Sequence, residues 1–304
     1  MSPEIPFVVA KWTRECETKP EKRYAHHHVN SLLRMLRSTQ SRPVRLICLT
    51  DDGAGLDPSI ELIPIPARGK EMINALGMQF FKLYLFSEEF RRTVGQKFIY
   101  CDLDVSVQGD VSDLYDRAAH LTIMEGKNAK LFSALETVHG GPLPSRRSFG
   151  LLRNLLLAGS FAQAFAYAKL GQKRWCRYNS SFMIISRDQP DDPWSSFVPD
   201  QARKEILAAN LCGSDQAWLH LHKKGVIETV GRADGFWYKG EVDRFYKQFG
   251  SLPSNTKLII FPGPHSKPWL AQGKKSAWLR QVYPKTPDGH PSPVVAARNG
   301  TWAT

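Results

Sequence analysis

Cysteine is scarce in this 304-residue chain, and its five examples, Cys16, Cys48, Cys101, Cys176 and Cys212, are odd in number and scattered. No two form a C-x-x-C pair, which argues against structural zinc. Cys48 and Cys101 fall inside apolar runs and read as buried free thiols of a reducing compartment. Long uninterrupted apolar stretches are lacking too. The greasiest, "LLRNLLLAGSFAQAFAYAKL" at 151–170, is broken by Arg153, Asn154, Gln163 and Lys169. It reads as a helix buried on most sides, not as a membrane span. The first residues, "MSPEIPFVVAKW", have neither the charged start nor the apolar core of a signal peptide, so a cytoplasmic location is expected. There is no P-loop, no G-x-S-x-G elbow and no H-E-x-x-H. Acidic residues are the minority charge, 29 against 41 Lys and Arg, leaving a net charge of +12. That excess favours anionic partners: a nucleotide, a phosphorylated glycan, an anionic lipid surface or nucleic acid.

What is present is a core-forming composition. The chain is 42% hydrophobic, with 16 Phe, 9 Tyr and 8 Trp. Strand-like and helix-like runs alternate through the first 125 residues. "PFVVAKW", "VRLICLTDD", "IELIPIP", "KFIYCDLD" and "HLTIM" read as strands. "YAHHHVNSLLRMLRS" reads as a helix with Val29, Leu32, Leu33 and Leu36 on one face, and "INALGMQFFKLYLFSEEF" as another. Later, "YNSSFMIISRD" and "TKLIIF" return to strand character. "GSDQAWLHLHKK" opens a helix, with Ser214 or Asp215 near its cap. Continuous apolar strands alternating with helices predict an α/β fold with a mostly parallel sheet covered on both faces. Ligands of such sheets gather beyond the carboxyl ends of the strands. Asp51, Asp52, Asp102 and Asp104 all fall at such ends.

The segment "FIYCDLDV" raises the sharpest question. Side chains alternate along a strand, so Asp102 and Asp104 point the same way while Leu103 points into the fold. Two neighbouring carboxylates repel unless a cation lies between them or one is protonated. A hard divalent ion shared with substrate phosphates resolves this; a turn at the strand end accounts for the pair equally well. An EF-hand does not fit, because Val107 stands where its glycine belongs and Asp113 where its glutamate belongs. His26, His27 and His28 are successive on a helix and point about 100° apart, so they suit a helix start better than one shared metal.

Taken in order, "VVAKW", "VRLICLTDD", "FFKLYLF", "FIYCDLDV", "YNSSFMIISRD", "GSDQAWL" and "FPGPHSKPW" resemble the GT-A nucleotide-sugar glycosyltransferases of the glycogenin and lipopolysaccharide-galactosyltransferase type. They are closer still to a sparsely characterised bacterial and phage branch of that group. The resemblance covers about residues 7–270. It implies a GT-A (Rossmann-like) fold in one domain, 1–283, with 126–177 as a variable helical insertion near the acceptor and 284–304 as a C-terminal arm. It implies that Asp102 and Asp104 hold Mn²⁺ or Mg²⁺ on the donor diphosphate. Val9, Lys11 and Trp12 would border the nucleotide, and Lys82 and Lys267 would face its phosphates or sugar. Asn179 and Ser180, with Ser181, would line the sugar pocket, and Asp215 and Gln216 would be the catalytic pair beside the transferred sugar. Plainer roles stay open: Asn179 in a turn, Asp215 as a cap, Trp12 in the core, Lys82 reaching solvent.

One departure concerns the metal. Phe261 and Pro262 stand where related enzymes carry a histidine ligand, and His265 lies on the same loop as the replacement candidate. The implied reaction is a retaining transfer of a hexose or related sugar from a nucleoside diphosphate donor to a hydroxyl. The acceptor is expected to be an anionic surface glycan or glycolipid, with at most peripheral contact with the membrane. The alternative is a hydroxylated base in phage-type DNA, which would have to be flipped out of the duplex. The oligomeric state is not legible.

Overall fold

The computed structural model describes residues 3–12, 24–127 without 77 and 96, and 177–262 without 210, 212 and 213, together with 129, 137, 156, 157, 159, 267, 268, 278 and 279. The tail 284–304, His265 and most of the expected insertion at 126–177 lie outside the described residues.

The central sheet contains β1 (Ile5–Lys11), β2 (Val44–Thr50), β3 (Glu61–Pro64), β4 (Phe98–Cys101), β6 (Leu121–Glu125), β7 (Tyr178–Ile185) and β8 (Ile227–Val230). Their order across the sheet is β3-β2-β1-β4-β7-β6-β8. β3, β2, β1 and β4 run parallel, with Val8 opposite both Ile47 and Tyr100. β7 is antiparallel to both β4 and β6, and β8 is parallel to β6. The sheet is therefore mostly parallel, as expected, with β7 as its reversed strand. A second sheet, ordered β5-β10-β9, joins β5 (Val105–Val107), β9 (Phe236–Tyr238) and β10 (Leu258–Ile260). Its strands have three residues each, too few for an alternation pattern to be visible in sequence.

Strand alternation sorts the core into two layers. Ile5, Phe7 and Val9 of β1 face α1 (His26–Thr39), whose Val29, Leu32, Leu33 and Leu36 are buried against them as expected. Val8, Ala10 and Trp12 face the other way, toward Phe80, Phe81, Leu83 and Phe86. α5 (Pro199–Ala208) and α6 (Asp215–His222) cover this second face, through Ala202, Ile206, Ala217 and Trp218. Both faces are thus covered by helices, which is why the strands read as continuous apolar runs.

The stretch read as one helix from Ile73 to Phe90 is three pieces. α2 (Ala67–Leu76) ends before Gly77, Met78–Phe86 is a 3₁₀ helix, and α3 (Glu88–Val94) starts at its own cap. Two causes are legible. Glycine is a poor helix former, and the Ser87 hydroxyl accepts from the Phe90 amide, a standard N-cap. The tight 3₁₀ turn lets Phe80, Phe81, Leu83, Leu85 and Phe86 all reach apolar neighbours while Lys82 is directed to the end of β4.

The small sheet frames the D-L-D segment. β5 begins immediately after Asp104 and pairs antiparallel with β10, Val105 opposite Ile260. The next residue, Phe261, donates its amide to the Asp104 carbonyl at 3.1 Å. The sheet depends on Gly235, whose φ is +87° and whose carbonyl accepts from the Lys257 and Leu258 amides. An added Cβ would stand 2.1 Å from the Asn255 carbonyl oxygen. Gly235→Ala is therefore expected to lower stability by at least about 2 kcal/mol, from left-handed strain and the clash together. An unchanged urea midpoint would mean that this turn rearranges freely.

Candidate active site

The two aspartates lie in the bend between β4 and β5, at the carboxyl end of the parallel strands. Asp104 is buried and Asp102 nearly so. Each carries a lysine. The Lys82 ammonium reaches both carboxylate oxygens of Asp102, at 2.7 and 2.8 Å. It also points at the carbonyl and hydroxyl oxygens of Ser180, at 3.4 and 3.3 Å, and lies 5.3 Å from the centre of the Tyr100 ring. Tyr100 donates its hydroxyl to the same carboxylate at 2.7 Å. Strand geometry explains this: Phe98, Tyr100 and Asp102 alternate onto the face where the 3₁₀ helix brings Lys82.

Asp104 is held by residues distant in sequence. Lys267 is ion-paired with its carboxylate and donates to the Tyr24 hydroxyl at 3.0 Å. Tyr24 donates in turn to Asp104, and Lys267 lies 5.2 Å from the centre of its ring. Burial, with the charges of Asp104 and Asp102 nearby, holds the Tyr24 phenol well above its ordinary range, so it stays protonated.

The carboxylates differ electrostatically. Burial pushes the Asp102 carboxyl upward, but the Lys82 charge and the hydrogen bonds of Lys82, Tyr100 and Ser181 outweigh it and leave Asp102 below the usual range. For Asp104, burial also pushes upward; Lys267 opposes it, the Asp102 charge adds to it, and the result is above the usual range. Lys82 stays charged: burial pushes its ammonium down, and Asp102 and Asp215 more than restore it.

Asp215, the first residue of α6, is 1% exposed. Burial raises its carboxyl to about 6, against the lowering effects of Lys82 and the Ser180 hydroxyl. Its Oδ2 is buried and has no hydrogen-bond partner among the described residues. Gln216 is half-buried, with Nε2 3.5 Å from the Ser180 hydroxyl. Asn179 accepts from the Ser181 amide at 2.8 Å, the local turn bond considered from sequence. Asp102, Lys82, Ser180, Asp215 and Gln216 therefore form one connected polar cluster, and Asp104 with Lys267 and Tyr24 stands beside it, close enough for the Asp102 charge to act on Asp104.

Other expected residues take quieter places. Val9 is fully buried against α1. Trp12 is buried edge-on to Tyr24 and Phe81, with ring centroids 6.2 and 6.5 Å away. Lys11 donates to the main-chain oxygen of Asp52 at 2.6 Å, closing the end of β2. Asp51 and Asp52 are exposed. His26 begins α1, and His28 accepts from the Ala25 amide at 2.9 Å, so the histidine run shapes a helix start. Phe261 is fully buried and stacked 6.0 Å from Trp278.

Two site tyrosines were not foreseen. Tyr100 had a signal in its spacing, two residues before Asp102 on the same strand face. Tyr24 had none, because only the folded chain brings it to Asp104.

The donor set suits a hard divalent ion, since it offers two carboxylates whose charges already require cations beside them. Among the described residues no third histidine, cysteine, aspartate or glutamate joins them. The remaining ligands would be phosphate oxygens and water.

No protein-family model and no curated protein matches the chain. Solved structures do. The galactosyltransferase LgtC, in complex with donor and acceptor sugar analogues, matches over 93% of this chain and 98% of its own, at 13% identity and a TM-score of 0.50. The bifunctional glycosyltransferase WbbM matches over 92% of this chain at 12% identity and a TM-score of 0.47, and this chain spans 52% of its length. The glycosyltransferase GlyE of Streptococcus pneumoniae TIGR4 matches over 91% of this chain and 59% of its own, at 15% identity and a TM-score of 0.47. At such identity the likeness is one of fold, and it rests on LgtC. With its 3-2-1-4-7-6-8 sheet and the small sheet beside the D-L-D bend, the chain has a GT-A glycosyltransferase fold.

Proposed function

We propose that this chain is a nucleotide-sugar glycosyltransferase that moves a hexose or related sugar from a nucleoside diphosphate donor to a hydroxyl of an anionic surface glycan or glycolipid. One observation carries the reading: a mixed cluster of three acids, two buried and one nearly so, and two lysines gathers at the carboxyl end of the sheet, where ligands of such folds bind. Buried charge at that density is costly for a fold alone, which supports a functional reason for it.

Asp102 and Asp104 would hold Mn²⁺ or Mg²⁺, which supplies Lewis-acid neutralisation of the departing diphosphate. Lys267 would add a second positive charge where negative charge grows on the departing diphosphate. Asp215 offers its unpartnered Oδ2 to a sugar hydroxyl, and Gln216 turns its amide toward the same space. No free carboxylate nucleophile is needed in this arrangement; retention would follow from attack by the acceptor on the leaving-group side. The net charge of +12 supports an anionic acceptor. Among the described residues no helix is long and apolar enough to cross a membrane, and contact with one would be peripheral.

A donor screen tests the reading. The full chain is incubated with Mn²⁺ and a panel of nucleotide sugars, and released nucleoside diphosphate is measured with and without a phosphorylated lipopolysaccharide core. One donor should be turned over, with loss on chelation, recovery on adding Mn²⁺, and stimulation by the acceptor. Failure to release nucleotide from any donor would sink the assignment.

A further inference from the structure

Asp104 already has a cation in the Lys267 ammonium. Lys267 occupies its carboxylate, and Tyr24 bridges the two by accepting from the ammonium and donating to the acid. Asp102 is also paired, but its lysine is held differently. Lys82 bonds both oxygens of Asp102 and both oxygens of Ser180, and it lies over the Tyr100 ring. Among the described residues Lys267 has only Asp104 and Tyr24. Lys82 is thus tied to the ends of β4 and β7 from the 3₁₀ helix, whereas Lys267 shows fewer such contacts among the described residues.

A divalent ion arriving alone must displace this ammonium from Asp104, and among the described residues its other hydrogen-bond partner is the neutral Tyr24 hydroxyl. A diphosphate changes the balance, because it offers Lys267 another anion while bringing further oxygen ligands for the ion. We propose that Lys267 and Tyr24 close Asp104 against the free metal ion, so that the site takes the ion and a diphosphate together, as a complex, and only weakly takes the ion alone. This rests on the metal reading above. It goes beyond it in assigning Lys267 two alternative anions and Tyr24 the role of a positioning residue that aims the ammonium at Asp104.

Binding, not turnover, tests it. Protein-bound Mn²⁺ is measured by equilibrium dialysis of the full chain, with and without inorganic pyrophosphate, whose own complex with Mn²⁺ is equal on both sides of the membrane. The wild type should bind Mn²⁺ weakly alone and at least about tenfold more tightly with pyrophosphate, reflecting a charge competition at contact distance. Lys267→Met should bind Mn²⁺ alone at least about tenfold more tightly than the wild type and gain much less from pyrophosphate. Tyr24→Phe keeps the ammonium but loses its aim, and should shift Mn²⁺ binding the same way by a smaller factor; it also guards against misfolding of the first variant. Equal Mn²⁺ affinity of wild type and both variants, with pyrophosphate still tightening binding, overturns the proposal and leaves the metal reading intact. Absence of Mn²⁺ binding in every protein even with pyrophosphate overturns both.

Discussion

Asp104→Asn and Asp102→Asn are each expected to lower sugar transfer by at least about a thousandfold, the scale of losing an electrostatic stabiliser of a leaving group. The assay is release of nucleoside diphosphate at saturating Mn²⁺ and donor. The two variants should part company on stability. Asp102→Asn leaves the Lys82 ammonium buried beside neutral oxygens and a ring, and breaking a buried pair from one side costs about 3 kcal/mol. Asp104→Asn instead removes a carboxyl that burial and the Asp102 charge hold above the usual range. Its stability change should be the smaller of the two, because the cost of ionising Asp104 disappears with the pairing. Full activity in either variant would sink the assignment of the pair. Equal destabilisation by both would show that Lys82 and Lys267 are held equally firmly.

Asp215→Asn should make the ligand-free fold more stable at neutral pH while removing activity. The Asp215 carboxyl is raised from its ordinary 3.8 to about 6, chiefly by burial. Between those values the folded protein binds more protons at this site than the unfolded chain does. Stability therefore falls as pH rises, which is the sign for a raised acid. The favourable contribution is complete below 3.8 and lost as pH passes through about 6. A shift of that size corresponds to about 3 kcal/mol, at 1.36 kcal/mol for each pH unit. The advantage of Asp215→Asn over wild type should thus be small at pH 4, grow through pH 5 and 6, and level off above pH 7. Urea unfolding across that range reads it directly. A flat difference would mean that Asp215 is not charged against its surroundings. The same substitution replaces an unpartnered buried acceptor with an amide, so transfer should drop by at least about a hundredfold.

These expectations share a physical source. Lys82, Asp102, Asp215 and Ser180 make a network that is expensive to bury, and Asp215 Oδ2 is unpartnered among the described residues. Local order is spent on a site elsewhere in the chain as well: Gly235 takes a left-handed conformation so that β9 and β10 can frame the D-L-D bend.

What the sequence by itself determined was periodic and local. The continuous apolar runs of β1, β2, β4 and β7 announced buried strands, because burial on two sides leaves an unbroken hydrophobic record, and the stripe of α1 announced its covered face. Asp102 and Asp104 were conspicuous because a charged pair ending such a run has no packing explanation. The Tyr100–Asp102 spacing was readable for the same reason, although only the folded strand joined them. Tertiary structure alone decided the rest. The run from Ile73 to Phe90 looks helical by composition, and although Gly77 and the Ser87 cap mark its breaks, only the folded chain shows that the middle piece is a 3₁₀ helix with Lys82 at the end of β4. Phe261, which stands where related enzymes carry a histidine ligand, is part of the core, stacked on Trp278. Which lysine pairs with which aspartate, and that Tyr24 stands between Lys267 and Asp104, has no trace in spacing: 163 residues separate Lys267 from its acid. Contacts at that range carry no periodic signal, because they are set by how the two sheets meet and not by any repeat along the chain.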